Sequence, residues 1–133
     1  MLVVFVGSNP SASSPDSSPF HVSVKSRKTL ETWIESINAN FVFVNVCDEK
    51  TEDNRPLSIS QIRDARDSLL AKLAQYPNAR IVSLGKIAAR ALTEAGVSGF
   101  LALLHPSGLN RKLNDPELVR NTKQSLAKYI NEV

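Results

Sequence analysis

Four short runs of apolar residues recur along the chain, separated by longer stretches of mixed character. Each run is continuous and does not alternate with polar residues, as is typical of strands covered on both faces of a parallel sheet. The runs are Leu2 to Val6, Phe41 to Val46, Arg80 to Leu84 and Phe100 to Leu104. The pattern therefore predicts four buried parallel strands.

The stretches after these runs carry apolar residues at helical spacing, and local signals indicate where four helices begin and end. These signals are Ser26 as a cap, a capping box of Ser58 and Gln61, the Lys86 to Ala95 stretch stopped by Gly96, and Asp115-Pro116 as a cap followed by proline. The residues expected to face inward are Leu30, Trp33, Ile34 and Ile37, then Ile59, Ile62, Leu69, Leu70 and Leu73, then Ile87, Ala91, Leu92 and Ala95, and finally Leu118, Val119, Leu126, Tyr129 and Ile130.

A strand–helix unit repeated four times implies an α/β fold. The expected form is a three-layer α/β/α arrangement around a four-stranded parallel sheet with right-handed crossovers. No internal repeat or domain boundary is visible, so residues 1–133 are expected to form a single domain. Two polar segments, Ser11 to Pro19 and Cys47 to Leu57, are expected to be long loops, which are often functional in so small a chain. For the middle of the first loop, a mobile surface segment is the favoured interpretation.

Composition narrows the class of protein only in part. The 133 residues are 42% hydrophobic and carry a formal net charge of +3, which permits contact with a polyanion without requiring it. A single cysteine, Cys47, excludes an intramolecular disulfide and any Cys-rich metal or iron–sulfur site. The apolar start of the chain is too short to cross a bilayer and lacks a preceding basic region. We therefore expect an intracellular, cytoplasmic protein without a membrane partner.

Polar side chains follow three of the four predicted strands, at the sheet edge where open parallel sheets bind ligands. They are Asn9, Asn45 and His105. Asn45 interrupts a run that should be buried, and an unsatisfied buried amide costs about 1–3 kcal/mol, so it needs a partner. That partner is either a neighbouring loop backbone or a ligand; an amide offers a donor and an acceptor side by side, matching the edge of uracil or thymine.

Other polar residues carry weaker signals. His105 alone is more simply explained by local backbone hydrogen bonds, and His21 by surface or packing. Gly85-Lys86 lacks the Walker pattern and predicts a tight strand-to-helix turn. Lys25, Arg27 and Lys28 could contact phosphates, although a solvated basic face is the favoured interpretation.

Taken in order, four segments resemble the uracil-DNA glycosylase superfamily. The first, Gly7-Ser8-Asn9-Pro10-Ser11, is similar to the first motif, especially in its mismatch-specific uracil/thymine branch. Residues 43–47 with Asn54-Arg55-Pro56, and residues 81–89, resemble segments of the thermostable bacterial and archaeal branch. His105-Pro106-Ser107-Gly108-Leu109-Asn110-Arg111 resembles the second active-site motif.

The resemblance implies a role for each matching residue. Asn9 would hold the attacking water, and His105 would hydrogen-bond O2 of the base and stabilise the charge that develops there. Asn45 would read the edge of a flipped base, with Gly7 and Pro10 beside it. Phe20 would stack under the base, with Val22 as the alternative alignment. The residues implied to contact DNA are Ser107, Gly108, Leu109, Asn110 and Arg111, with Leu109 as the wedge, and Arg55.

The implied activity is removal of uracil, or of a mismatched or modified pyrimidine, from DNA by a monomer that needs no cofactor or metal. Three features depart from the family pattern: Ser11 replaces the usual glycine or tyrosine, no acid occupies position 9, and the four cluster cysteines of the thermostable branch are missing. An amide can orient water but cannot accept its proton. The rival hypothesis is therefore a catalytically weak member that binds DNA or a base without excision. A nucleotide-binding regulatory domain ranks last, because no Gly-rich phosphate loop is present.

Overall fold

Strands and helices alternate through the computed structural model, which describes residues 1–10, 12, 14–20, 25–51, 55–106 and 115–131. The elements are β1 (Leu2–Gly7), α1 (Lys25–Ile34), β2 (Asn40–Asn45), α2 (Ile59–Asp64), α3 (Arg66–Ala74), β3 (Arg80–Leu84), α4 (Lys86–Glu94), β4 (Leu101–Leu103) and α5 (Pro116–Asn131). In this part of the chain the strands form a four-stranded parallel sheet in the order β2-β1-β3-β4. The predicted α/β fold with a parallel sheet is therefore confirmed.

Two hydrophobic clusters cover opposite faces of the sheet. Alternate residues of β1 divide between them: Val4 and Val6 pack with α2, α3 and α4, whereas Val3 and Phe5 pack with α1 and α5. Successive side chains of a strand point to opposite faces, so a continuous apolar run supplies both cores at once. The result is the predicted three-layer arrangement.

Local signals placed several helix ends correctly. Ser58 and Gln61 form the predicted capping box, with reciprocal bonds of 2.9 and 3.1 Å. Asp115 accepts a hydrogen bond from the backbone N–H of Glu117 at 3.0 Å and so caps α5. Gly96 follows α4 with a φ of 81°, the left-handed conformation that ends many helices.

The start and end of α1 were predicted wrongly. Ser26 lies inside the helix, which already includes Lys25, whereas an N-cap residue needs non-helical backbone angles. The helix ends at Ile34, and Ile37 lies beyond it, although Ile37 still packs against the cluster shared with α5.

The second predicted helix is two helices, α2 and α3, joined at Ala65. Ile59 was expected to face inward, but it is 45% exposed. Leu57, just before the cap, is buried instead and shares a cluster with Ile62, as in a hydrophobic staple. The staple turns the first helical residue, Ile59, outward.

Strand β4 departs from the expected covering on both faces. It spans three residues and pairs only with β3, and its central residue Ala102 is exposed. This strand lies at the edge of the sheet. Among the described residues, no helix combines the length and apolar character that a bilayer crossing requires.

Candidate functional site

The carboxyl ends of β1 and β2 meet directly. Gly7 pairs with Asn45 in the register of the two strands, and both residues are buried. The backbone pairing continues beyond the strands, since Val46 donates to the Gly7 carbonyl at 2.9 Å and Cys47 to the Ser8 carbonyl at 3.0 Å. The predicted edge of the sheet is therefore where the first two motifs come together.

Gly7 allows two side chains to converge over the backbone. A Cβ atom placed on Gly7 would lie 2.7 Å from Cε2 of Phe20 and 2.8 Å from Oδ1 of Asn45. Real Cβ atoms essentially never approach heavy atoms this closely, so any other residue would displace the ring, the amide or both. The lack of a side chain at position 7 thus leaves room for both Phe20 and the Asn45 amide over the backbone.

The Phe20 ring also reaches the end of β4. Its centroid lies 6.0 Å from that of the His105 imidazole, and the two planes differ by 30°. His105 packs in turn on the turn after β3: a Cβ on Gly85 would lie 3.1 Å from Cβ of His105. Gly85 has a φ of 91° and donates to the Leu103 carbonyl at 2.8 Å, which confirms the tight turn predicted there. Phe20 therefore lies over Gly7, as Asn45 does, and also stacks on His105.

Asn45 carries a buried donor without an acceptor. The residue is 2% exposed, and its Nδ2 has no hydrogen-bond partner within the part of the chain that the structure describes. Leaving such a group unsatisfied costs about 1–3 kcal/mol, which is the energy a ligand acceptor would recover. The alternative expected from sequence, a hydrogen bond to a neighbouring loop, is not found among the described residues.

Burial lowers the pKa of His105 below its usual value of 6.5. The charged imidazolium is disfavoured when it is removed from water, so the ring is neutral at pH 7. A neutral imidazole has one N–H donor and one acceptor nitrogen. His105 can therefore donate a hydrogen bond without bringing a positive charge.

The side chain of Asn9 hydrogen-bonds to residues of the first two loops. Its Nδ2 donates to the Glu49 carbonyl at 3.1 Å and to Oγ1 of Thr51 at 3.3 Å, and its Oδ1 accepts from the Ser8 hydroxyl at 2.8 Å. These bonds tie the loop after β1 to the loop after β2. Within the described residues, the amide of Asn9 is engaged with loop groups and not with Asn45 or His105.

The remaining predicted site residues fall into two groups. Pro10 is buried directly after Asn9, and Arg55 is exposed, with its carbonyl accepting from Thr51 Oγ1 at 2.5 Å. The following residues lie outside the described part of the chain: Ser107, Gly108, Leu109, Asn110 and Arg111, together with His21 and Val22.

The middle of the first loop lies mostly at the surface, as expected: residues 15–18 are exposed, whereas Ser14 is 5% exposed. The Ser14 hydroxyl donates to the Asp16 carbonyl at 2.9 Å, and the Ser14 carbonyl accepts from the Lys50 ammonium. That last hydrogen bond joins Ser14 to the second loop, and the mobility of the segment stays a prediction.

Two basic residues that the sequence did not assign to the site, Arg27 and Lys72, bind the backbone carbonyls of site residues. Arg27 was interpreted as part of a solvated face, but its side chain is 23% exposed and its Nη1 donates to the Phe20 carbonyl at 2.9 Å. Lys72 of α3 donates to the Asn45 carbonyl and to Asp48, both at 2.9 Å. Neither spacing nor composition distinguishes such residues from surface cations, because the acceptors are backbone carbonyls placed by the tertiary structure.

A groove of about 590 Å³ is lined in part by His105. Its lining is mostly apolar and comprises Gly85, Lys86, Ala89, Ala102, Leu103, Leu104 and His105. The lining includes neither Asn45 nor Phe20. No three His, Cys, Asp or Glu side chains among the described residues are grouped so that they could hold a metal ion.

Comparison with known proteins agrees with the motifs. A search of curated proteins found no relative. The family described as the Uracil DNA glycosylase superfamily, however, matches residues 2–133, nearly the entire chain. The protein therefore belongs to the Uracil DNA glycosylase superfamily, and this membership supports a DNA glycosylase-like role in general.

Proposed function

We propose that this protein is a monofunctional DNA glycosylase that hydrolyses the N-glycosidic bond of uracil, or of a mismatched or modified pyrimidine, in DNA. The observation that carries the proposal is the position of one aromatic ring near both polar groups: Phe20 and Asn45 both lie over Gly7, and Phe20 stacks on His105. A stacking surface, an amide and a neutral imidazole are the three groups that recognition and release of a pyrimidine require.

Base recognition is assigned to Asn45. Its unpaired Nδ2 donor complements O4 of uracil or thymine, and its Oδ1 is an acceptor for N3–H of the same edge. Cytosine presents an amino donor at position 4, which would meet the donor of Asn45 and leave both groups unsatisfied. Because Asn45 and Phe20 are both buried, entry of the base has to include a local opening of the chain around them.

Bond cleavage is assigned to His105 and to a water molecule held by Asn9. As the bond between C1′ and N1 breaks, its electron pair goes to the base, and negative charge develops at O2 while positive charge develops on the sugar. A fixed N–H of His105 near O2 stabilises that charge more in the transition state than in the ground state. Water then adds to C1′ and loses a proton to solvent, and the departing base anion takes up a proton.

The duplex contacts are assigned to residues of the second motif. Turning a nucleotide out of the stack costs about a few kcal/mol, which an apolar wedge and phosphate contacts can offset. Leu109 would be the wedge, with Ser107, Gly108, Asn110, Arg111 and Arg55 near the backbone. The protein would act as a single-domain intracellular monomer without a cofactor.

One observation favours the rival function, binding without excision. Both Nδ2 hydrogen bonds of Asn9 run to the loop after β2, and its Oδ1 accepts from Ser8. An amide whose nitrogen and oxygen are already hydrogen-bonded activates water poorly, and an amide cannot accept a proton from water. Slow turnover is therefore expected even if the proposal is correct.

A labelled oligonucleotide carrying uracil opposite guanine, opposite adenine or in a single strand distinguishes the two functions. After incubation, alkali cleaves the backbone wherever a base was removed. We expect alkali-sensitive breaks with the native protein, loss of these breaks in Asn9→Ala and His105→Ala, and retention in Lys28→Met, a surface control. Tight binding of the oligonucleotides without breaks at uracil, thymine or modified pyrimidines would instead establish the rival.

A further inference from the structure

Arg27 contacts Phe20 and Phe43 without taking part in any step assigned above. We infer that Arg27 is a positioning residue that sets the Phe20 ring against His105 and thereby controls the rate of base release. The effect of Arg27 on the excision rate rests on the proposed function. The placement of the Phe20 ring by Arg27 does not.

The backbone of Phe20 has an unfavourable conformation that other contacts must hold in place. Its φ is 49°, in the left-handed region that residues with a Cβ rarely adopt. Such a conformation persists only when surrounding contacts impose it. Nη1 of Arg27 donates to the Phe20 carbonyl at 2.9 Å, a charge-assisted bond to the strained residue itself.

The guanidinium of Arg27 is held at two further points. Its Cζ lies 4.4 Å from the centroid of the Phe43 ring, and its Nε donates to Oε1 of Glu31 at 3.1 Å. Phe43 in turn lies 5.9 Å from Phe20, centroid to centroid. The planar group therefore joins the carbonyl of Phe20 to the strand whose last residue is Asn45.

These contacts distinguish Arg27 from a phosphate-binding residue. Its Nε and Nη1 are both engaged within the protein, Glu31 compensates part of its charge, and its side chain is 23% exposed. Lys28, the next residue, is exposed on the same helix and is the matched control for charge. Lysine lacks a planar fork able to bind a carbonyl and a carboxylate while stacking on a ring.

The test compares Arg27→Met, Arg27→Lys and Lys28→Met on the full chain. Two quantities are measured on uracil-containing duplex: the dissociation constant, and the single-turnover excision rate at saturating protein. Displacement of a positioned group by about 1 Å can cost up to a hundredfold in rate, so we expect Arg27→Met to be at least about tenfold slower at saturation. Its dissociation constant should change no more than that of Lys28→Met, and Arg27→Lys should recover only part of the rate.

An NMR measurement without DNA tests the placement independently. The chain has two histidines, so the imidazole signal of His105 is assigned with a His21→Gln variant. Moving the Phe20 ring changes its ring current at His105, and we expect the signal to shift in Arg27→Met but not in Lys28→Met. Should Arg27→Met fail to fold, Arg27→Lys is examined in the same way and is expected to show a smaller shift.

The two proposals fail in different ways. Absence of excision by the native protein, with the His105 shift present in the variant, refutes the proposed function and retains the placement of Phe20 by Arg27. An unshifted His105 signal together with a native rate in Arg27→Met overturns the inference. A full rate in Arg27→Lys, or weakened binding at an unchanged saturating rate in Arg27→Met, would show that only the charge of Arg27 matters and would also overturn it.

Discussion

The ring of Phe20 and the imidazole of His105 lie 6.0 Å apart, centroid to centroid, with their planes 30° apart, although three strands separate them along the chain. The same ring and the amide of Asn45 both lie over Gly7. Phe20 is thus a common neighbour of the end of β2 and the end of β4. Changes that move this ring should disturb both polar groups together.

Replacing Gly7 by alanine should disrupt the site through steric overlap. The added methyl group would meet Phe20 and the Asn45 oxygen at less than 3.0 Å, so we expect loss of excision and a free energy of unfolding lower by about 1–3 kcal/mol. Chemical denaturation and the oligonucleotide assay measure the two effects. Gly99→Ala is the control: its φ of 74° strains any side chain by about 1–2 kcal/mol, but no atom lies within 4 Å, so excision should persist.

Asn45→Leu should separate stability from function. Leucine is close to asparagine in shape and removes the unpaired Nδ2, so we expect the free energy of unfolding to stay equal or rise by about 1 kcal/mol while uracil excision is lost. A large decrease in stability would mean that the amide is already satisfied in the folded protein. Ser83→Ala is the matched control. The buried Oγ of Ser83 is also unpaired, but it lies on the other face of the sheet from Asn45, so the excision rate of this variant should remain native.

Lys72→Met should affect the site through the backbone of β2. The substitution removes the hydrogen bond to the Asn45 carbonyl, which we expect to lower the free energy of unfolding by about 0.5–1.5 kcal/mol and to weaken binding of uracil-containing DNA. Lys123→Met provides the comparison, because Lys123 also pairs with an exposed carboxylate, Glu35 at 3.9 Å. Such surface pairs contribute about 0–1 kcal/mol, so equal effects of the two variants would contradict a role for the Asn45 contact.

Stability should fall at acidic pH because of His105. Its folded pKa is lowered by burial, so in the range just below 6.5 the unfolded chain takes up a proton that the folded protein does not. Above the unfolded pKa, protonation of His105 does not affect the free energy of unfolding. As the pH decreases from about 7 towards the lowered folded pKa, protonation of the unfolded chain lowers that free energy. Thermal unfolding between pH 7.5 and about 5.5 should show a steeper decrease for the native protein than for His105→Gln. Parallel curves would indicate that the imidazole is not buried in solution.

Local patterns in the sequence determined the layers of this fold. Continuous apolar runs supply residues to both faces of a sheet, which is why Val3 and Val4 in succession indicate two cores. Capping chemistry acts within one turn of helix, so Ser58 and Asp115 could be assigned without any tertiary contact. The placement of Asn45 and His105 at one edge also followed, because parallel strands end at the same side of a sheet.

Only the tertiary structure decided which side chains meet at that edge. Periodicity shows which positions are buried, but it does not show that Phe20 stacks on His105, or that Arg27 and Lys72 bind the backbone carbonyls of Phe20 and Asn45. The exposure of Ala102 and Ile59 likewise depended on sheet order and on the position of Leu57. Contacts of this kind are set by packing between elements, a three-dimensional property that no local pattern along the chain encodes.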